Sequence, residues 1–292
     1  SKLATTRWWQ TSTLPETFGV TDADEDDLYA AMDWALQRQD VVEKKLAARH
    51  LKNDGLALYD LTSSYFEGTH CPLAALGHNR DGKKGKLQVN YGLLTNQRGI
   101  PVAVSVFQGN VGDPKTLMPQ VSKVKNDFGI ERFVIVGDRG MITQKQVNAL
   151  RDLDGVDWIA ALRPEAIKKL VDSGVIQMGL FDERNLFEVT HPDFPGERLV
   201  ACKNSELAKK RAHKRDSLIV ATTKELDKVR GMVGRGRLCG RDKIGVRVGK
   251  VINKYKVSKH FNLDIRDDVF NFEIDQQKVA EEAAQDGIYV VR

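Results

Sequence analysis

Two carboxylates stand in segments that have little use for charge. Asp60 interrupts the run Leu56-Ala57-Leu58-Tyr59-Asp60-Leu61-Thr62, and Asp138 ends Phe133-Val134-Ile135-Val136-Gly137-Asp138-Arg139-Gly140. Short apolar runs bounded by turn residues read as buried strands. A carboxylate in such a run pays for its lost hydration unless it is paired or ligating. The two acids lie 78 positions apart. On strands of one sheet they can meet at a shared edge and hold a divalent metal.

The chain has 292 residues, 41% of them apolar, enough for one or two globular domains. No apolar run approaches the roughly 20 residues that cross a bilayer, and no apolar signal core follows the first charges. Cys71, Cys202 and Cys239 are widely spaced and odd in number, which is no disulfide framework. A reducing cytoplasm is the expected setting. The net charge of +5 hides an asymmetry: residues 203–259 hold 18 Lys and Arg against 5 Asp and Glu. Such a block attracts polyanions, nucleic acid first.

Helical spacing of Leu28, Met32, Ala35, Leu36, Val41, Val42 and Leu46 predicts a helix over 22–50. A strand over 56–63, a Gly-rich loop over 68–85 and a hairpin from 88–95 and 100–107 follow. Pro114 opens a helix to about 128. A strand at 133–137, a helix from Thr143 to about 153 and a strand at 156–162 complete the region. Three strands in series and then helix–strand alternation imply a mixed sheet with helices packed on it. Beyond residue 163 the pattern predicts short strands at 186–189, 198–202, 243–251 and 270–274, a charged helix over 205–230, and a mobile loop at 230–242.

Together these residues resemble a known family. Tyr59-Asp60-Leu61-Thr62-Ser63, Gly109-Asn110-Val111-Gly112-Asp113 and Val136-Gly137-Asp138-Arg139-Gly140-Met141 are similar, in order and spacing, to segments of DDE-type transposases of bacterial insertion sequences. So are Gly77-His78-Asn79-Arg80-Asp81-Gly82, Gln88-Val89-Asn90-Tyr91-Gly92 and Asp286-Gly287-Ile288-Tyr289. The resemblance implies an α/β fold: a ribonuclease H-like mixed sheet flanked by helices, with a mainly β insertion subdomain. The expected organisation is an N-terminal helical segment (1–53), an incomplete catalytic core (54–163), a β-rich basic insertion (164–286) and a strand returning to the core (287–292). The family's third acid, a glutamate within Tyr-x2-Arg-x3-Glu-x6-Lys, has no counterpart here, and the expectation is a chain truncated at both ends.

The implied chemistry is metal-dependent DNA cleavage followed by strand transfer. Asp60 and Asp138 would be catalytic and would ligate Mg²⁺ or Mn²⁺, two ions in an intact enzyme, since carboxylate oxygens suit hard cations. The partners implied are double-stranded DNA (transposon ends and target) and a second copy of the chain on DNA, with no membrane. The alternatives are a DNA-binding remnant that does not cut, and a ribonuclease H-like nuclease. Arg139 is a candidate phosphate contact, as are Arg235, Arg237, Arg241, Lys243 and Arg247, whose intervening glycines would let the chain follow a phosphate backbone. Thr62, Asn110 and Asp113 are placed near the site, the last two also as a turn and a helix cap. His70, Cys71 and His78, or Cys202 with Cys239, match no zinc spacing. Trp8, Trp9 and Trp158 are expected to pack.

Overall fold

The computed structural model describes residues 2–292 except 81, 84, 178, 180 and 182–184. The chain divides into two compact units, Ser1–Ala160 and Ala161–Arg292.

The first unit contains α1 (Lys2–Trp9), α2 (Leu14–Phe18), α3 (Glu25–Gln37), α4 (Gln39–His50), β1 (Gly55–Phe66), β2 (Ala75–Leu76), β3 (Leu87–Asn96), β4 (Pro101–Gln108), α5 (Asp113–Ser122), β5 (Phe133–Val136), α6 (Gln144–Arg151) and β6 (Val156–Ile159). β1 lies at the centre of a six-stranded sheet. It pairs antiparallel with β3, which carries β4 and the short β2, and parallel with β5, which pairs parallel with β6. A three-strand meander joined to two parallel strands through helices is ribonuclease H-like topology. Period-2 burial shows why β1 forms: Ala57, Tyr59, Leu61 and Ser63 are buried while Asp60, Thr62 and Ser64 are exposed. The buried side faces Leu94, Leu117, Val121, Ile135, Met141, Val147 and Leu150 in one core.

The helix expected over 22–50 breaks at Arg38 into α3 and α4. Its periodicity marks helix but not core. Tyr29, Met32, Trp34, Leu36, Val41 and Val42 are exposed, and only Glu43 and Ala47 of α4 are buried. Trp8 is 56% exposed rather than packed. Trp158 does pack against the core.

Glu43 closes the edge of the sheet. Its carboxylate accepts from the Val104 main-chain N–H at 3.0 Å and from Gln39, whose amide also donates to the Val104 carbonyl at 2.8 Å. Lys123, on a π-helical turn that follows Pro119 in α5, supplies the counter-charge. β4 thus meets two side chains where a neighbouring strand would bond.

The second unit contains α7 (Pro164–Asp172), β7 (Leu186–Val189), β8 (Leu199–Lys203), α8 (Ser205–Gly234), α9 (Arg241–Tyr255), β9 (Phe261–Ile265), β10 (Phe270–Ile274), α10 (Gln276–Ala283) and β11 (Ile288–Val291). β8 is the middle strand of an antiparallel sheet with β7 and β11. That sheet shares a small core with Leu162, Ile167 and Leu170. A second core lies among α8, α9 and the β9–β10 hairpin, built on Leu226, Val229, Ile244, Val248, Phe261 and Phe270.

Three expectations are corrected. Residues 243–251 are helical, because Ile244, Val248 and Ile252 repeat every four residues and all are buried. α8 runs on to Gly234, and the turn after it is tied rather than loose: Gly240 N–H and Arg241 N–H both donate to Asp267, at 2.6 and 3.1 Å. The C-terminal strand does not rejoin the first sheet; Ile288–Val291 pairs with β8 and Val291 bridges Ala161. Its partner Ala201 and its own Ile288 and Val290 are fully buried in the smaller core, which fixes that pairing. The insertion therefore holds more helix than short-strand alternation suggested.

Candidate active site

β1 and β5 run parallel in register, Leu58 opposite Val136. Asp60 and Asp138 each lie two positions further along. In both strands the odd positions enter the core, so the even ones face the other side: Leu56, Leu58 and Asp60 on one strand, Val134 and Val136 with Asp138 beyond them on the other. Neighbouring strands stand about 4.8 Å apart, so the β1–β5 register, continued two positions, carries the chain past Asp60 on one strand and Asp138 just beyond the end of the other. Both are exposed.

Each carboxylate is steadied by its own backbone. Oδ1 of Asp60 accepts the Leu61 N–H at 2.9 Å. Oδ1 of Asp138 accepts the Met141 N–H at 2.8 Å, while the Asp138 carbonyl accepts from Met141 and Ile142. A Cβ on Gly140 would stand 3.4 Å from both Asp138 carboxylate oxygens, and one on Gly137 would press on Ile142 at 3.2 Å. One oxygen of each acid is thereby committed, and the other accepts no hydrogen bond from the described residues. Among those residues no group of three His, Cys, Asp or Glu side chains converges. A pair of exposed oxygen donors of this kind fits a hard divalent cation held partly by water.

The remaining predicted residues divide. Thr62 stands on the same face as Asp60, opposite Tyr91 of β3. Arg139 is exposed beside Asp138 and pairs with no acid among the described residues. Asn110 is exposed in the β4–α5 turn. Asp113 is the first residue of α5 and half-buried. It is bound by Arg80 at 2.5 Å, and its charge, like that of Asp60, reaches Tyr59. Burial pushes the Tyr59 phenol up, Thr116 opposes this, and the charges of Asp113 and Asp60 add to the rise. Arg235, Arg237, Arg241, Lys243 and Arg247 are all exposed, the last three on α9 rather than on a loop or strand. Cys71, Cys202 and Cys239 are free thiols.

Sequence reasoning missed the residues that brace this end of the sheet. Gln88 and Asn90 both donate to the Gly109 carbonyl, at 2.8 and 3.4 Å, and Asn90 also reaches the Val111 carbonyl at 3.0 Å. The backbone passes so close that a Cβ on Gly77 would fall 1.9 Å from the Gly109 oxygen, and one on Gly109 1.9 Å from the Gln88 oxygen. Gly92 likewise makes space for the Tyr59 ring, whose hydroxyl lies 2.3 Å from where its Cβ would be. The signal was present: two amides at alternate positions of a strand, both on its buried side.

With the geometry in place, the sequence comparison is decisive. Residues 55–230 match the family model described as the transposase DDE domain. The chain belongs to that family. No curated protein matches this transposase chain. Among solved structures it is similar to the piggyBac transposase synaptic complex with hairpin DNA, at 14% identity and a TM-score of 0.33, over 52% of this chain and 31% of that one. It is also similar to the Mos1 transposase paired-end complex with left transposon end, at 9% identity and a TM-score of 0.26, over 53% and 57%. The transposase chain thus corresponds to about a third and somewhat over half of those two proteins.

Proposed function

We propose that this chain carries the catalytic-core chemistry of a DNA transposase: metal-dependent cleavage at transposon ends, then transfer of the freed 3′ end into target DNA. The observation that supports this reading is the parallel β1–β5 register, Leu58 opposite Val136, with Asp60 and Asp138 each two positions further along the chain. Asp60 on the central strand and Asp138 on its neighbour would hold Mg²⁺ or Mn²⁺. Bound ions there would lower the pKa of water and neutralise charge developing on the phosphoryl group. The protein's own share is to fix both carboxylates through the Leu61 and Met141 N–H groups. Arg139 would meet a phosphate oxygen beside Asp138, and Thr62 would line the approach to Asp60. Double-stranded DNA is the substrate, and synapsis of two ends would bring two copies together. The setting is cytoplasmic.

Two carboxylates bind metal weakly, and a third acid completes such sites in the resembling family. With no third ligand converging among the described residues, the chain alone is expected to cleave slowly or not at all. That same fact favours a second reading, a DNA-binding protein that joins an active transposase without cutting. Calorimetric titration with Mn²⁺ separates the two. The catalytic reading expects weak binding that disappears in Asp60→Asn and in Asp138→Asn. Metal uptake unaltered by both substitutions would defeat it, and DNA binding indifferent to metal would then support the second.

A further inference from the structure

Cations on the two long helices of the second unit differ in how they are engaged. On α8, Lys209 pairs with Glu206 at 3.0 Å, Lys228 with Glu225 at 2.6 Å and Arg230 with Asp227 at 2.7 Å. On α9, Arg247, Lys250 and Lys254 are exposed and form no ion pair among the described residues; the Lys254 ammonium lies 5.0 Å from the Tyr255 ring centroid. Their spacing of i, i+3 and i+7 puts all three on one helical face. That face borders a groove of about 180 Å³ between α8 and α9, floored by Val229, Val251 and Tyr255.

Glu225 is the acid lining the groove, and its charge is already engaged. The hydrogen bond from Lys228 holds its carboxyl below the usual range against the opposing effect of burial, and the charges of Lys228, Lys254 and Lys224 add to this. The groove therefore keeps a surplus of positive charge over an apolar floor.

We propose that the α8–α9 groove is a seat for the phosphate backbone of duplex DNA, with Arg247, Lys250 and Lys254 each meeting a phosphate. This deepens the DNA reading above and rests on it. Seven residues of helix rise about 10 Å, the axial length over which one strand of a duplex presents about three phosphates. The cations of the 235–240 turn share no such common face. Lys250 and Lys254 thus join Arg247 as contacts; glycine spacing indicated Arg247 alone of the three.

The test is anisotropy of labelled duplex DNA titrated with the whole chain across a range of KCl concentrations. Each phosphate contact steepens the log–log salt slope by about 0.9. The triple variant Arg247→Ala, Lys250→Ala, Lys254→Ala should flatten the slope by about 2 to 3. The control Lys209→Ala, Arg230→Ala, which removes paired cations of α8, should leave it unchanged. All five side chains are exposed, so parental melting temperatures verify folding. A triple variant with the parental slope, or a control that flattens it equally, would overturn the proposal. Failure of the acid pair would show separately, as metal binding that survives Asp60→Asn while the salt slope still responds to α9.

Discussion

The two units solve different electrostatic problems. Residues 1–160 hold 19 Lys and Arg against 20 Asp and Glu, whereas residues 161–292 hold 26 against 20. The first unit spends its polar residues on precise internal contacts around one large core: Glu43 with Lys123, Arg80 with Asp113, Gln88 and Asn90 with Gly109. The second has two smaller cores and buried pairs of its own, Arg215 with Asp286 and Arg292 with Glu197, yet leaves Arg247, Lys250 and Lys254 of α9 outside any ion pair among the described residues. A reacting centre needs fixed donors, and a surface for a polyanion needs available charge. The lesson is that the pairing of one local face, such as that of α9, says more about its use than the charge content of a whole unit does.

The largest expected effect falls on the acids. In a preparation that cleaves DNA, Asp60→Asn or Asp138→Asn should lower the rate by about 10²–10³, since metal stabilisation of the transition state is worth several kcal/mol and each 1.36 kcal/mol is tenfold. Rates measured at saturating Mn²⁺ check this, and Lys250→Ala should leave them within about twofold once DNA is saturating. Equal losses from the two substitutions would erase the contrast between the units.

Next come the cores. Ile135 and Leu226 are each fully buried, one in each unit. Replacing either with Ala should cost about 2–5 kcal/mol. Amide hydrogen exchange should show the loss confined to the unit carrying the substitution. A uniform loss of protection would mean that the units unfold as one.

A smaller, more specific effect concerns Tyr59. Gly92→Ala drives a methyl into the Tyr59 ring, and overpacking of this kind costs about 1–3 kcal/mol. In a double-mutant cycle, Tyr59→Leu should recover much of it. Denaturant midpoints of the four proteins would measure the coupling.

The smallest is a pH effect in the second unit. Burial alone would raise the Glu282 carboxyl. The hydrogen bond and charge of Lys259, together with His260 at 2.5 Å, outweigh burial and leave it below the ordinary 4.5. A depressed folded pKa stabilises above the unfolded value, and that stability is lost as pH falls through the folded one. Glu282→Gln should therefore differ from the parent in stability at pH 6 by about 1 kcal/mol or less, the side chain being over a third exposed. The difference should vanish well below pH 4.5. Melting curves at both pH values test it.

Legibility followed the range of the forces involved. Apolar runs and turn residues gave five of the six strands of the first sheet to within a few residues, because burial on a pleat imposes period 2 directly on the sequence; the two-residue β2 fell inside the expected loop over 68–85. The parallel neighbouring of the two strands that lead to Asp60 and Asp138 could be guessed from their apolar runs. The α9 helix was misread because Val246, Val248 and Val251 have strand-like side chains, while the deciding repeat of Ile244, Val248 and Ile252 depends on a partner helix. The destination of β11 depends on β8, nearly ninety positions away, and nothing local encodes it. Gly77 and Gly109 read as loop glycines. Only the packed structure shows that two backbones touch there.

The side chains of Gln39 and Glu43 have a consequence for how copies of this protein can associate. By occupying both hydrogen-bonding groups of Val104, they deny the outer margin of the sheet to any incoming chain that would extend it strand by strand. Molecules gathered at high local concentration, as on a shared length of DNA, cannot zip together along that border. Contact across that border has to use side-chain surfaces, which can be reversed, rather than a continuous ladder of main-chain hydrogen bonds.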